Sequence, residues 1–172
     1  LNLKISINFL NFIINKTNCK KIIVSGSCWE YGKKIGPCVE GCDNLTNSYF
    51  SWSKKSLYDF LHYTCQNESI TLIWFRIFYV YGPGQKNTSL IPSLINSMKK
   101  NKKIIIKFPY NRNDYIYIDD LINAFLFAIY NKMKSGIYNL GSGTTCSVLK
   151  IAKILEYKIS GKKTISSKDY DK

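Results

Sequence analysis

The sequence lacks several features on which common protein classes depend. Its 172 residues include one histidine and two arginines, Arg76 and Arg112. No apolar run reaches the length of a membrane span, and residues 1–18 have neither the charged start nor the cleavage site of a signal peptide. The glycine-rich patterns G-x-G-x-x-G and G-x-x-G-x-x-G, whose backbone amides cradle phosphates, do not occur. We therefore expect a cytoplasmic protein without a membrane contact and without a glycine-rich phosphate-binding turn.

The cysteines fit neither a disulfide framework nor a metal site. They stand at positions 19, 28, 38, 42, 65 and 146, without a C-x-x-C pair. His62 falls on a predicted helix with no cysteine in register, and Cys38 with Cys42 alone is a weak metal signal. The sequence predicts free cytosolic thiols and no bound metal.

The charge is strongly basic, but its distribution is not that of a nucleic-acid-binding protein. The formal net charge is +14. Nearly all of the basic residues are lysines, scattered in ones and twos among many Asn, Ile, Tyr and Phe residues. This composition is typical of an AT-rich genome, because Lys and Asn codons are rich in A and most Arg codons are not. We expect no nucleic-acid partner, since binding would favour a basic stripe or patch.

Helices and strands alternate along the first half of the chain in the order that a parallel sheet requires. Residues 1–18 predict an amphipathic helix, and the β-branched run 21–25 predicts a strand buried on both faces. After a loop at 32–47, residues 51–66 predict a helix and residues 70–78 (ITLIWFRIF) predict a second buried strand. A right-handed crossover would make the two strands parallel and adjacent, with functional groups collected where they end.

The second half of the chain predicts three further helices and a strand. A helix is expected at 89–99 and a strand at 102–107 (KKIIIK). Asp119 or Asp120 is placed to cap the next helix, whose apolar residues recur at helical spacing. Ser147 is placed to open a last amphipathic helix that continues through Leu155.

Five motifs, in order along the chain, carry a resemblance to a known family. They are VSGSCWEYG (24–32), YFSWSK (49–54), YGPGQ (81–85), RNDYIYIDD (112–120) and YNLGSG (138–143). Together they resemble the extended short-chain dehydrogenases/reductases, the family of NAD(P)-dependent sugar-nucleotide epimerases and dehydratases. The resemblance covers residues 21–155.

The resemblance implies an α/β fold that is the second half of a Rossmann-like doubly wound parallel sheet plus a small α+β substrate domain. Residues 1–80 correspond to the C-terminal half of the dinucleotide-binding domain. Residues 81–172 correspond mainly to the substrate domain, with 111–131 returning to the nucleotide domain. Family members are much longer and begin with the glycine-rich turn, whereas this chain begins at Leu1. We therefore expect a fragment from which the main NAD or NADP site is missing.

The family's catalytic residues match this chain at two of three places. In the family, a strand-end Ser or Thr and a Tyr-x-x-x-Lys on the next helix converge on a sugar hydroxyl. Ser27 and Lys54 occupy two of these places, and Lys54 and Ser25 are expected to contact the cofactor. Phe50 stands at the tyrosine place, and a phenyl ring cannot accept a proton. Three alternatives stay open: Tyr49 substitutes, another group moves the proton, or the site binds a sugar nucleotide without oxidising it.

The residues expected to bind substrate favour epimerisation or 4-ketone reduction over dehydration. Family dehydratases carry acids directly after the strand-end Ser/Thr, where this chain has Cys28 and Trp29. Tyr79 stands where many epimerases have a substrate-contacting Asn. The resemblance places Arg112 close to the family's diphosphate-binding arginine, and a guanidinium binds phosphate bidentately. Arg76, inside a strand, is expected to be architectural.

The resemblance implies an NAD(P)-dependent enzyme that binds a nucleoside-diphosphate sugar, serves polysaccharide synthesis and forms a homodimer as a full-length protein. The alternative from another class is a non-catalytic sugar-nucleotide binding module. That alternative is favoured by Phe50 and by the missing glycine-rich turn.

Overall fold

The structure is a computed structural model that describes residues 3–34, 36–42, 46–102, 104 and 106–161. The helices are α1 (Leu3–Lys16), α2 (Tyr49–Asn67), α3 (Leu90–Lys99), α4 (Ile118–Tyr130) and α5 (Val148–Ser160). The strands are β1 (Lys21–Ser25), β2 (Thr71–Ile77), β3 (Tyr79–Tyr81), β4 (Arg112–Tyr117), β5 (Gly136–Leu140) and β6 (Thr145–Ser147), and Cys28–Tyr31 forms a 3₁₀ turn. Within these described ranges, no helix is both long and apolar enough to cross a membrane.

A parallel three-stranded sheet in the order β1-β2-β5 forms the first part of the fold. The predicted parallel pairing of the two strands is confirmed, with Ile23 opposite Ile73. Successive side chains of a strand point to opposite faces. Accordingly, Trp74 packs with Leu57 and Leu61 of α2. Ile73 and Phe75, which point to the other face, pack against α4. Helices therefore cover both faces of the sheet, as the doubly wound pattern predicts.

Lys21 joins the start of β1 to the end of α4. Its Nζ donates to the carbonyl oxygens of Ala128, Ile129 and Asn131 at 2.7, 3.1 and 2.8 Å. The last carbonyls of a helix have no partner within the helix, and they carry a partial negative charge. A lysine at this place therefore satisfies the helix end and stabilises it electrostatically.

We expect Lys21→Met to lower the free energy of unfolding by about 1–2 kcal/mol, because three carbonyl groups lose a charged donor. Urea denaturation followed by circular dichroism measures the change. Lys20→Met is the matched control, since Lys20 is the exposed neighbouring lysine. Equal stability of the two variants would show that the three hydrogen bonds contribute nothing.

The second part of the fold is a mixed sheet with two helices. β3 pairs with β4 in parallel, and β4 pairs with β6 in antiparallel orientation. Helices α3 and α5 pack together over a buried cluster that includes Leu94, Val148 and Ala152. Ser147 caps α5 by accepting a hydrogen bond from the backbone N–H of Lys150, as its place in the sequence predicted.

The contacts divide the chain into two compact units. The described residues up to Phe78, together with Asp120–Leu140, form the first unit. Tyr79–Asp119 and the described residues from Gly141 onward form the second unit. The chain thus passes between the units three times. The segment that returns to the first unit is Asp120–Leu140, whereas the family resemblance implied 111–131. The difference arises because β4 belongs to the second sheet.

Three element predictions need correction. Helix α2 begins at Tyr49 rather than Ser51, because Ser48 caps it and exchanges hydrogen bonds with Ser51. Helix α4 begins at Ile118, so the two following aspartates lie in its first turn and do not cap it.

The third correction concerns the strand predicted at 102–107. Residues 103 and 105 lie outside the described residues, and the described ones in this segment belong to no strand. Ile104 and Ile106 do point into the cluster between α3 and α5. The two described isoleucines of this run therefore pack against the helices without strand pairing among the described residues.

Candidate active site

Ser27 lies directly beyond the carboxyl end of β1 and opens the 3₁₀ turn. Its Oγ accepts a hydrogen bond from the backbone N–H of Trp29 at 3.2 Å. Its own backbone N–H donates to Oε1 of Glu30 at 2.8 Å. This reciprocal arrangement is a capping box. The cap fixes the backbone and the hydroxyl of Ser27 at the strand end.

Glu30 is the centre of a buried polar cluster. Its carboxylate accepts from Nε1 of Trp74, with both oxygens at 3.1 Å, and from Nε of Arg76 at 3.0 Å. Glu30 and Arg76 are almost completely buried. Gly26 passes so close that an added Cβ would lie 2.7 Å from Oε1 of Glu30. Glu30 is therefore committed to the architecture of the strand end, and it does not face a substrate as a free acid.

Arg76 continues this cluster toward the loop after the 3₁₀ turn. Its guanidinium lies over the ring of Tyr31, with Cζ 4.4 Å from the centroid, and Nη1 donates to the carbonyl oxygen of Glu40 at 3.3 Å. The Tyr31 hydroxyl donates to Oδ1 of Asn139 at 2.8 Å. Burial raises the pKa of Tyr31, although Arg76 opposes the shift. The architectural role predicted for Arg76 is confirmed, because it binds both an acid and a loop carbonyl.

Lys54 reaches from α2 to the end of β1. Its Nζ donates to the backbone oxygen of Ser25 at 2.6 Å. Burial lowers the pKa of Lys54, and the negative charge of Glu30 partly offsets this effect. Helix α2 also packs against the 3₁₀ turn that Ser27 caps. The structure thus brings Lys54 and Ser25 into contact and holds Ser27 two residues beyond that contact.

Tyr49 and Phe50 occupy the first turn of α2. Tyr49 is its first residue and is 92% exposed, whereas Phe50 is 46% exposed. At 3.6 residues per turn, Phe50 lies about 40° around the helix from Lys54, and Tyr49 lies about 140° from it. Tyr49 could share the pocket of Lys54 only if the helix began after Tyr49. Helix α2 begins at Tyr49 itself, so that condition is not met. On the face of Lys54, the helix presents a phenyl ring.

Cys28 and Trp29 form the first half of the 3₁₀ turn beside Ser27. Cys28 is half-buried, and Trp29 is 49% exposed. Neither side chain is an acid, and the only acid in the turn is the buried Glu30. The described turn therefore offers no carboxylate of the kind that expels water from a sugar.

Tyr79 and Arg112 both lie in the second unit. The ring of Tyr79 packs against that of Tyr115, with centroids 5.8 Å apart. Arg112 is exposed, and its Nε and Nη2 donate to Oγ1 and the backbone oxygen of Thr145 at 3.1 and 2.8 Å. These bonds hold the guanidinium along β6.

Asp114 has a role that the sequence interpretation missed. Its carboxylate accepts from the backbone N–H groups of Ser142 and Gly143 at 2.7 and 2.9 Å, and from Oγ of Ser142 at 2.7 Å. The aspartate thereby fixes the turn of the YNLGSG motif. The sequence shows both motifs involved, RNDYIYIDD and YNLGSG, but it does not indicate that they contact each other.

A cavity of about 270 Å³ lies in the second unit, and its lining includes the two residues that flank Arg112 in the sequence. Its polar lining includes Ser93, Asn111 and Asn113, and the exposed ring of Phe108 borders it. Among the described residues, no group of three His, Cys, Asp or Glu side chains could hold a metal ion.

The chain is similar in sequence to proteins of known function. The chain is 30% identical over 159 residues to dTDP-4-dehydro-6-deoxyglucose reductase of Escherichia coli, covering 90% of this chain and 50% of that protein. It is 31% identical over 86 residues to CDP-abequose synthase of Salmonella muenchen, covering 50% of this chain and 29% of that protein.

A solved structure is similar over nearly the whole chain. It is UDP-glucuronic acid 4-epimerase from Bacillus cereus in complex with UDP-glucuronic acid and NAD, at 28% identity and a TM-score of 0.82. The match covers 94% of this chain and 52% of that one. The chain therefore spans about half the length of this epimerase and of the Escherichia coli reductase. The predicted family and fold class are confirmed.

The family model for NAD dependent epimerases/dehydratases matches residues 1–141. This match includes the strand end with Ser27, the helix with Lys54 and Asp114 itself. The chain belongs to the NAD dependent epimerase/dehydratase family.

Proposed function

We propose that the protein containing this chain is an NAD(P)-dependent nucleoside-diphosphate-sugar epimerase or 4-ketoreductase that serves polysaccharide synthesis. The observation that carries the proposal is the contact between Lys54 Nζ and the Ser25 carbonyl, beside the capped Ser27. An ammonium and a hydroxyl at the carboxyl end of a parallel strand stand where ligands of open α/β sheets bind.

Ser27 and Lys54 have complementary roles in the proposed reaction. The Ser27 Oγ accepts a hydrogen bond from the backbone N–H of Trp29. Its hydroxyl proton can therefore be donated to an oxygen of the sugar. Lys54 holds a positive charge near that oxygen, and a nearby cation favours the deprotonated form of an acidic group. A bound nicotinamide would take up or deliver the hydride, and Lys54 and Ser25 are the proposed cofactor contacts. Anchoring of Lys54 by the Ser25 carbonyl limits the mobility of its ammonium.

The turn beside Ser27 supports epimerisation or reduction over dehydration. Cys28 and Trp29 are proposed to contact the sugar, and neither can act as a carboxylic acid. The only acid of the turn, Glu30, already accepts hydrogen bonds from Trp74, Arg76 and the Ser27 amide.

The second unit supplies the proposed groups for the rest of the substrate. Arg112 is proposed to bind the diphosphate, because a guanidinium offers parallel donors to phosphate oxygens. Tyr79 is proposed to contact the sugar. The 270 Å³ cavity, with its amides and the exposed Phe108, is of suitable chemistry for the nucleoside. The units would then be the C-terminal half of a dinucleotide-binding domain and a substrate domain. A cytoplasmic homodimer without a nucleic-acid partner completes the proposal.

The competing function is a sugar-nucleotide binding module without catalysis. One observation favours it: Phe50, rather than a tyrosine, shares the helix face of Lys54. Such a module would retain the cavity, Arg112 and Ser27, but would transfer no hydride.

Replacing Lys54 tests the enzyme proposal. We expect the native gene product that contains this chain to convert a nucleoside-diphosphate sugar, and Lys54→Met to lower turnover about tenfold or more, because the site loses its cation. Product formation is measured by NMR with UDP-, dTDP- and CDP-sugars and either cofactor.

Lys55→Met is the matched control, since Lys55 pairs with Asp59 on the helix surface at 2.6 Å. Its turnover should equal that of the native protein. Sugar-nucleotide binding without any turnover in the native protein would support the binding module instead.

A further inference from the structure

The loop after the 3₁₀ turn carries two cysteines on either side of a tight turn. The backbone N–H of Cys42 donates to the carbonyl oxygen of Val39 at 3.0 Å, which closes the turn. Cys38 and Cys42 are both partly exposed, and neither is in a disulfide. Two thiols that are four residues apart thus lie on one short segment that solvent can reach.

Hydrogen bonds from residues of β2 and β5 hold this segment in place. Nδ2 of Asn139 donates to the Cys38 carbonyl at 2.9 Å, and the Asn139 backbone N–H donates to Oε1 of Glu40 at 2.9 Å. Arg76 donates to the Glu40 carbonyl. The thiol-bearing segment is therefore fixed from two strands of the buried sheet.

Lys34 adds a positive charge at Cys42. Its Nζ donates a hydrogen bond to Sγ of Cys42. This bond is the main reason that the pKa of Lys34 is raised. Burial raises the pKa of Cys38, Lys34 and Arg76 lower it, and Cys42 raises it further. Each of the three groups thus acts on the others, and Lys34, Cys38 and Cys42 form a single cluster, which we call the thiol cluster.

We propose that Cys38 and Cys42 are a reversible redox pair, in which Cys42 reacts first with a hydroperoxide and Cys38 closes the disulfide. A thiolate is the nucleophile in such reactions, and a neighbouring lysine favours it. The exposed loop admits a small oxidant. The proposal does not depend on the proposed enzyme activity.

The chemical steps balance with the peroxide as oxidant. The Cys42 thiolate attacks one peroxide oxygen, the O–O bond breaks, and the leaving oxygen takes a proton to become water or an alcohol. The resulting Cys42 sulfenic acid is attacked by Cys38 sulfur. The S–O bond breaks, and the hydroxyl leaves as water with the proton of Cys38. The two thiols lose two electrons, and the peroxide gains them.

Other cysteines of the chain are in different surroundings. Cys65 is buried, and burial raises its pKa to about 11, which keeps it as an unreactive thiol. The thiols of Cys19 and Cys146 donate to the carbonyl oxygens of Lys21 and Ser147 at 3.3 and 3.7 Å. Cys42, by contrast, accepts from an ammonium. These differences predict selective oxidation at the thiol cluster.

Peptide mass spectrometry tests the proposal. The protein is treated with hydrogen peroxide, remaining thiols are alkylated, and trypsin releases a peptide that ends at Lys54 and contains Cys38 and Cys42 but none of the other cysteines. We expect this peptide to lose two hydrogen atoms, to escape alkylation and to recover both thiols after treatment with dithiothreitol. Cys38→Ser should leave a sulfenic acid on Cys42, which dimedone traps.

Lysine variants test the role of the cluster geometry. Lys34→Met should slow disulfide formation about tenfold, whereas Lys33→Met, at the adjacent exposed position, should not. In urea the two variants should react at the same rate, because the contact is lost. Preferential oxidation of Cys19, Cys28 or Cys146, or equal rates for the two folded variants, would overturn the proposal.

Discussion

Replacing Glu30 with alanine is expected to lower the free energy of unfolding by about 3–5 kcal/mol, the range found when one partner of a buried ion pair is removed. The guanidinium of Arg76 would remain buried with its Nε unpaired. The Trp74 indole and the Ser27 amide would lose their acceptor as well. Urea unfolding, followed by circular dichroism, measures the loss.

Two further variants separate the ion pair from other causes. Glu68→Ala removes an exposed glutamate just after α2 and should change the stability by less than about 0.5 kcal/mol. Glu30→Leu combined with Arg76→Met should recover part of the loss, because no buried charge is then left unpaired. A loss below about 1 kcal/mol for Glu30→Ala would mean that water reaches the cluster.

Phe50→Tyr is expected to raise hydride transfer from a nucleoside-diphosphate sugar to NAD(P)⁺ by about a hundredfold, the contribution of a positioned acid/base group. Phe50 shares a helix face with Lys54, so a hydroxyl there would point to the same side as the ammonium. Stopped-flow absorbance of the reduced nicotinamide measures the rate in the native gene product. Phe127→Tyr, at an exposed position of α4, is the matched control and should change nothing.

Tyr49→Phe distinguishes the remaining accounts. If Tyr49 is the base despite its exposure, the native protein is already fast, Phe50→Tyr adds little, and Tyr49→Phe abolishes turnover while binding persists. If both substitutions leave a fast native enzyme unchanged, the proton is moved by neither residue. That outcome would show that neither Tyr49 nor the residue at position 50 takes part in the proton transfer.

The sheet could be predicted because its signals are local. β1 has the bounds that its β-branched run predicted, but only Ile22 of it is buried, because β1 lies at the edge of the described sheet. The start of α2 was missed because its cap uses Ser51, whereas the usual capping box has Glu or Gln at that position. The segment 102–107 has the β-branched run of a strand, but pairing depends on a neighbouring strand that local sequence does not specify.

The site was predictable only as far as the family motifs reach. The motifs placed Ser27, Ser25 and Lys54 at one strand end, and the Lys54 contact agrees with that expectation. The partnership of Glu30 with Arg76 joins residues 46 positions apart. A chain with many charged residues allows many acid–base pairs, and the periodicity of the sequence does not indicate which of them form. For the same reason, the clamp of Asp114 on the YNLGSG turn emerged only from the fold.

The three passages of the chain between the two units limit how the gene can be divided. A protein that ended at Phe78 would lose β5, the hydrogen-bonding neighbour of β2, and all of α4, which covers Ile73 and Phe75. A protein that began at Tyr79 would keep β5 and α4 without β1 and β2, the strands on which they pack. No single cut therefore separates the two units with both of them intact.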